Sequence, residues 1–456
     1  MSLTVRRWLF ASFVIIFFIM AGLILPYALG YQFNGTGLKL QKTGMFVIDT
    51  EPSGARIYLN SKLQTSNLSW LGTQQDKAIK SPTKISHQLP GTYQVRLELD
   101  GYWPWEKELQ ISAGETTYLE DVRFFKQNLP QLLSSNQESV INSSAMSSDN
   151  NFLAFTANQE IKLLNLKNNE ESSYPQATAQ PLSWSSQGKF LLNGSMIIDT
   201  VNQTSIDLEK IINQKIKKAS WSSDNDSLLC LETNSGILQH QLSDNKTTLL
   251  LSLTNQKTIV TDCMLKDGNS YLLKNSNSKS ILSIIRDSDL KEIGSIELPR
   301  QANYHFANPT SKYINIIDAN SQKLSIIETN LPWSNNYNID TLPSSITLSQ
   351  WINNDELLTA SNFEIAVYNT KDKSEKLLTR VSSRIQNVFW HPSKNYVIFV
   401  TDQGVYALEL DNRDRYNITR LLDQAGIQDA YMDQAGENLY FIAQLGSRQG
   451  YWQLEL

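Results

Sequence analysis

The chain runs to 456 residues, enough for two or three domains, and carries a formal net charge of -5 with 19% of its residues charged. No Lys/Arg block appears, which argues against nucleic-acid binding, a function that needs a concentrated basic patch. Two cysteines (Cys230, Cys263) and four scattered histidines (His87, His240, His305, His391) offer neither zinc-ligand nor His-x-x-x-His spacing, so no metal or other cofactor is expected.

Residues 8–25 read WLFASFVIIFFIMAGLIL, 18 residues without a charge. At ~1.5 Å per residue a helix of that length covers ~27 Å, close to the ~30 Å hydrocarbon core of a bilayer. Arg6 and Arg7 precede the span, and the first basic residues beyond it are Lys39 and Lys42. The positive-inside bias therefore predicts a cytoplasmic stub (1–7), one transmembrane helix (8–26), a linker (27–42) and an extracytoplasmic remainder. Trp8, Tyr27 and Tyr31 flank the span as an aromatic belt would. The competing expectation is a cleaved signal peptide, for which Ala28-Leu29-Gly30 offers a small-x-small site, although the apolar run exceeds the ~7–15 residues of a signal core. Either reading exports the bulk of the chain. Outside the cell Cys230 and Cys263 could form one disulfide; the plainer expectation is two small buried thiols.

Residues 43–125 read as a small β domain. The runs 45–49 and 55–59 are rich in strand formers, and Pro52 and Gly54 supply a turn between them. Tyr93, Val95, Leu97 and Leu99 alternate with polar residues, the period of a half-buried strand. Asp100-Gly101 and Gly114 mark further turns, so five or six strands and no helix are expected.

Four stretches carry a family likeness: Pro52-Ser53-Gly54-Ala55, then Ile57-Tyr58-Leu59, then Leu89-Pro90-Gly91-Thr92-Tyr93, then Gly101-Tyr102 with Trp105-Glu106-Lys107. Together they resemble the PEGA domain. Ser53 stands where the family's name has Glu, and an insert occupies the neighbourhood of residues 63–80. The resemblance implies a small β-sandwich of the kind found mainly on microbial cell-surface and membrane-anchored proteins, usually structural or unassigned in role and bringing no catalytic residues. Tyr102, Trp103 and Trp105 invite a sugar-stacking reading. Core packing of Trp105, with Trp103 over the turn beside Pro104, is the simpler expectation.

From 126 to 456 the chain is a repeat array. "AMSSDNNFLAF", "SWSSQGKFLL" and "SWSSDNDSLLCL" align on Met146, Trp184 and Trp221; weaker copies follow at Met264, Phe306, Trp351, Trp390 and Tyr431. Each copy holds a large apolar anchor, a polar turn and an apolar β-run. Successive anchors lie 37 to 45 residues apart, and a four-stranded propeller blade takes ~40–45 residues. The motif is similar to the Trp-Ser-Pro-Asp-Gly repeat of exported Tol-type propellers, and less so to WD40. Eight anchors predict eight blades, with residues 126–135 (KQNLPQLLSS) completing the last one; seven blades, with one weak copy misread, is the alternative. The fold class expected is all-β: a PEGA-like β-sandwich and then a β-propeller, after one N-terminal transmembrane helix.

Only Asp262, His305 and Asp429 bring a carboxylate or imidazole to the two positions before the anchors, where side chains would line the channel. If they converged they could make an acid–base set. Their blades are not all neighbours, so a hydrated polar lining is the plainer reading. No Gly-x-Ser-x-Gly elbow occurs, and Asp224 and Asp226 lack the Gly and Glu that would complete a calcium loop. The expected function is a non-catalytic scaffold, membrane-bound through its helix, whose propeller binds an envelope protein or glycan. The alternative is a propeller enzyme, a hydrolase or lyase acting on envelope polysaccharide.

Overall fold

The computed structural model describes residues 3–34, 39–66, 77–135, 143–175, 177–253, 258–276, 278–307, 310, 312–329 and 339–456. They form two compact units: Met1–Asn128 with Ala407–Leu421 and Leu456, and Leu129–Tyr406 with Leu422–Glu455.

The first unit begins with a helix, Leu3–Ala28. Its stretch Val5–Ala28 has a mean hydropathy of 2.7 and no part of it is buried. Phe10, Phe13, Phe17 and Phe18 all lie exposed, so the helix is apolar on every side. Length and composition suit a membrane span, and a signal sequence would meet the same description.

Two small sheets follow. One has the order Trp105–Ile111, Gly91–Glu98, Arg56–Leu59, Lys62–Leu63; the other has Thr116–Arg123, Gly44–Glu51, Thr83–Gln88. Phe46 and Ile48 of one sheet share a single core with Ile57, Val95, Leu97 and Trp105 of the other. The sequence signature has a local cause. Gly54 adopts φ +101°, a conformation open to glycine, and Ala55 behind it is fully buried. The hydroxyl of Ser81 accepts from Ala55 N at 3.0 Å and binds Thr50 Oγ1 at 2.6 Å, locking the turn. Trp105 lies in the core as expected, with Tyr102 packed against it. The middle of the insert, residues 67–76, lies outside the described residues.

Strict alternation along Trp105–Ile111 also turns Lys107 inward. Its side chain is fully buried, 2.9 Å from the Glu409 carboxylate and donating to the Asp411 carbonyl at 2.7 Å. Trp105 Nε1 donates to Glu409 at 3.0 Å. Burial pushes Glu409 above the usual carboxylate range, opposed by Lys107 and Trp105. The segment 407–421 is thus tied to this unit through a paired internal charge.

From Gln131 on, the described residues form eight four-stranded sheets; all belong to the second unit except parts of two strands of the seventh, Gly404–Glu409 and Ile418–Asp423, which fall within 407–421. Their first strands are Ser143–Met146, Leu182–Trp184, Ile216–Trp221, Ile259–Lys266, Tyr304–Ala307, Leu348–Trp351, Ile385–Trp390 and Gln428–Met432, which number blades one to eight. First strands of adjacent blades touch one another at seven or more of the eight boundaries, so they are the innermost and surround an axis. Each apolar cluster lies between two neighbouring blades: Leu153 and Phe155 of blade one meet Ile442 and Tyr451 of blade eight, and Phe190 and Ile197 of blade two meet Leu229 and Leu231 of blade three. Strands covered on both faces read as unbroken apolar runs, such as Tyr396–Thr401, buried throughout.

The anchors have a common task. Trp184, Trp221 and Trp351 stack on Phe152, Phe190 and Tyr313 of the preceding blade, at 6.2, 6.0 and 5.2 Å between ring centres. Trp184 Nε1 donates to Ala145 O at 3.0 Å and Trp221 Nε1 to Ser183 O at 3.1 Å, again across the blade boundary. The serine after the anchor folds the turn: Ser147 Oγ and Ser185 Oγ accept from Phe152 N and Phe190 N at 2.9 and 3.0 Å. His391 takes that serine's place in blade seven, buried and bonded to Ser393 and to Gly436 O. Asp224 and Asp226 are turn residues, accepting from Ser222 Oγ and Gln187 N.

The last blade closes as expected. Gln131–Ser135 pairs antiparallel with Arg448–Glu455 as its outer strand. Gly450 permits that approach, since a Cβ there would lie 2.2 Å from Ser134 O.

Two expectations need correction. Register places Met432 opposite Leu439, as Trp184 stands opposite Leu191, so Met432 is the last anchor and Tyr431 lies one residue before it. Cys230 and Cys263 are not free thiols: they are joined, with their Cα atoms 6.4 Å apart. Blade repetition brings the second strand of blade three against the first strand of blade four, a proximity that 33 residues of separation conceal.

Candidate functional site

Inner strands must expose polar backbone to the channel, and in this propeller their side chains bind blade to blade. Ser143 Oγ accepts from Leu182 N at 3.2 Å, Asp262 Oδ2 from Phe306 N at 3.0 Å, Gln350 Oε1 from Trp390 N at 2.8 Å, and Asn387 Oδ1 from Ala430 N at 3.4 Å. Each satisfies a backbone donor of the next blade that would otherwise lack a partner.

Asp262 is the most committed member. Its carboxylate also takes Lys218 Nζ at 2.7 Å and Cys263 N at 2.9 Å, which leaves its side chain 11% exposed and joins blades three, four and five. His305 is half-exposed with Nδ1 3.9 Å from Asp262 Oδ2, beyond hydrogen-bond reach. Asp429 belongs to a different place. It adopts φ +41° on blade eight, and its carboxylate accepts from Ser144 Oγ of blade one at 2.9 Å. Among the described residues no bond joins Asp429 to Asp262 or His305. Beside it Tyr431 donates to Ser144 O at 2.8 Å, and burial pushes its hydroxyl up to about 12. The geometry therefore brings Asp262 and His305 near each other and leaves Asp429 elsewhere. No group of three or more His, Cys, Asp or Glu among the described residues is placed to hold a metal ion.

The channel mouth at blades six to eight differs. A cavity of about 540 Å³ opens there, lined by Asn362, Arg384, Gln386, Asn387, Gln428 and Asp429 among others. Gln386 Oε1 is buried and without a partner. Arg384 lies six positions before Trp390, just ahead of the strand Ile385–Trp390, and Gln386 four, both outside the two positions that precede each anchor. The sequence holds little signal for them: the run Ser383-Arg384-Ile385-Gln386-Asn387 is polar apart from Ile385, but Lys217 and Lys218 make the start of blade three's inner strand as polar.

Known proteins resemble the two units separately. Residues 43–123 match the PEGA domain. The PEGA match covers the two-sheet sandwich and its Gly54 turn. No curated protein matches the chain in sequence. Among solved structures, the dipeptidyl peptidase 4 of Porphyromonas gingivalis is similar over 69% of this chain and 57% of its own, at 10% identity and a TM-score of 0.51. The C-terminal WD40 domain of Sif2 is similar over 72% of this chain and 99% of its own (12% identity, TM-score 0.49), and the Dos1 propeller over 70% and 93% (12% identity, TM-score 0.48). Identities so low speak to fold alone. The chain is an all-β protein with a PEGA domain, a β-propeller and one N-terminal apolar helix.

Proposed function

We propose that this chain is a non-catalytic interaction scaffold. Its helix holds it in a membrane with Arg6 and Arg7 on the cytoplasmic side, and the PEGA domain and propeller lie outside, where the propeller binds an envelope protein or glycan. One observation carries the binding reading: the best-placed channel carboxylate, Asp262, is taken up by Lys218, Cys263 N and Phe306 N, while the side chains of Asn362, Arg384 and Gln428 at the cavity of blades six to eight make no hydrogen bond or ion pair among the described residues. A general acid or base needs a free oxygen aimed at substrate, and Asp262 has none to spare. The Cys230–Cys263 bridge supports an oxidising compartment, and the basic residues before the span support the orientation.

Chemical crosslinking in intact cells, followed by purification of the full chain, should recover a repeatable envelope component. Protease added outside the cells should cut the propeller but spare the N-terminal stub. Protection of the propeller, or a crosslinked profile indistinguishable from that of an unrelated anchored protein, would refute the reading.

A further inference from the structure

Within that scaffold reading, on which this step rests, we infer that the cavity at blades six to eight is a site for a neutral oligosaccharide. Its volume of about 540 Å³ falls inside the ~300–1,000 Å³ usual for small-molecule sites. Four amides line it (Asn362, Gln386, Asn387 and Gln428), with one guanidinium, Arg384, and one carboxylate, Asp429. The formal charges cancel, so the lining selects neither an anion nor a cation. Amides offer a donor and an acceptor side by side, as do the vicinal hydroxyls of a sugar ring. Arg384 and Asp429 add a planar donor fork and a planar acceptor pair, the complements of a diol's oxygens and hydrogens. Leu348 and Ile385 supply a small apolar floor for ring C–H groups.

The contrast with the rest of the channel carries the inference. Elsewhere Ser143, Asp262 and Gln350 are consumed by blade-to-blade bonds. At this mouth only Asn387 and Asp429 are so engaged, through Ala430 N and Ser144 Oγ. Asn362, Arg384 and Gln428 make no side-chain hydrogen bond or ion pair among the described residues, and the buried Gln386 Oε1 has no partner. Asn362, Arg384 and Gln428 are exposed, so their donors and acceptors are open to a ligand, and a turn of the Gln386 side chain would bring its unpaired Oε1 to a sugar hydroxyl, a donor that the fold does not supply. A stable protein partner would bury about 800 Å² of this chain, a broad face rather than a mouth of small-molecule size.

The test is a titration of the full chain, in a detergent without a sugar headgroup. The probes are neutral oligosaccharides of glucose, mannose, galactose and N-acetylglucosamine, followed by saturation-transfer NMR and calorimetry. At least one should bind, and R384A and Q428A should each weaken it about tenfold or more. H305A, beside Asp262, should bind as the unaltered protein does, and matched circular dichroism should confirm folding of all three. Absence of binding across the panel overturns the inference, as does binding indifferent to both substitutions. If the panel fails while crosslinking still recovers an envelope component, the scaffold reading survives and only the ligand class falls. If both fail, both fall.

Discussion

Two arcs of the same ring use the polar side chains of their inner strands differently. In blades three to five the channel side chains hold the structure together: Asp262 joins three blades, and the disulfide joins two of them a residue away. In blades six to eight Gln350 and Asn387 also bond across blade boundaries, but Asn362, Arg384, Gln386 and Gln428 border a cavity and make no side-chain hydrogen bond or ion pair among the described residues. A repeat architecture needs each boundary sealed but does not need every polar group for the sealing. The difference teaches where to look for binding: not at the most charged residues of the channel, but at those that the fold leaves idle.

Substitutions can break or sharpen that contrast. The largest effect should come from the disulfide. A double C230S/C263S change removes a crosslink between blades three and four, worth about 2–4 kcal/mol by loop-closure reasoning, and should lower the Tm by roughly 5–10 °C in calorimetry. An unchanged melting curve would mean the arc is held by packing alone. Next, D262A should cost about 1–3 kcal/mol because Phe306 N loses its acceptor, while D262N, which keeps an acceptor, should cost less than about 1 kcal/mol, since the lost Lys218 partner is partly exposed. Equal costs in a denaturant titration would contradict the assigned role.

A smaller, pH-dependent effect belongs to His240 on blade three. The residue is fully buried, with Nδ1 2.9 Å from Thr247 Oγ1 and no partner for Nε2. Burial pushes its pKa below the ordinary 6.5, so the folded chain holds it neutral while the unfolded chain can protonate it. Protons are then taken up on unfolding, so stability is full above the ordinary pKa and declines as pH falls beneath it. The Tm of the unaltered protein should drop between pH 7.5 and 5.5 more steeply than that of H240Q. Parallel curves would exclude the contribution. The smallest stability effect should be that of R384A, within about ±0.5 kcal/mol, because the exposed side chain bonds to nothing among the described residues. A large loss would show that the second arc is structural after all.

Much of the fold was legible because its physics repeats. The apolar span, the Gly54 turn and the anchor–turn–strand unit each depend on local residue types at fixed spacing. Pairing of Gln131–Ser135 with Arg448–Glu455 was legible too, because the eighth repeat leaves room for only three strands. What was hidden depends on contacts between repeats. The Cys230–Cys263 bridge, the inward turn of Lys107 toward Glu409, and the one-residue offset of Tyr431 arise only when separate segments meet. The candidate site was the least legible part. Asp262 drew attention by its charge and proves engaged, whereas Gln386 and Gln428 look ordinary in sequence and matter because nothing bonds them.

The central claim is that binding occurs at the mouth formed by blades six to eight. A photo-crosslinking amino acid placed at Gln428 or at His305 of the full chain, illuminated in living cells, tests it most directly. The account predicts a defined adduct from position 428 and none from position 305. An adduct from 305 alone, or none from either position, would contradict it.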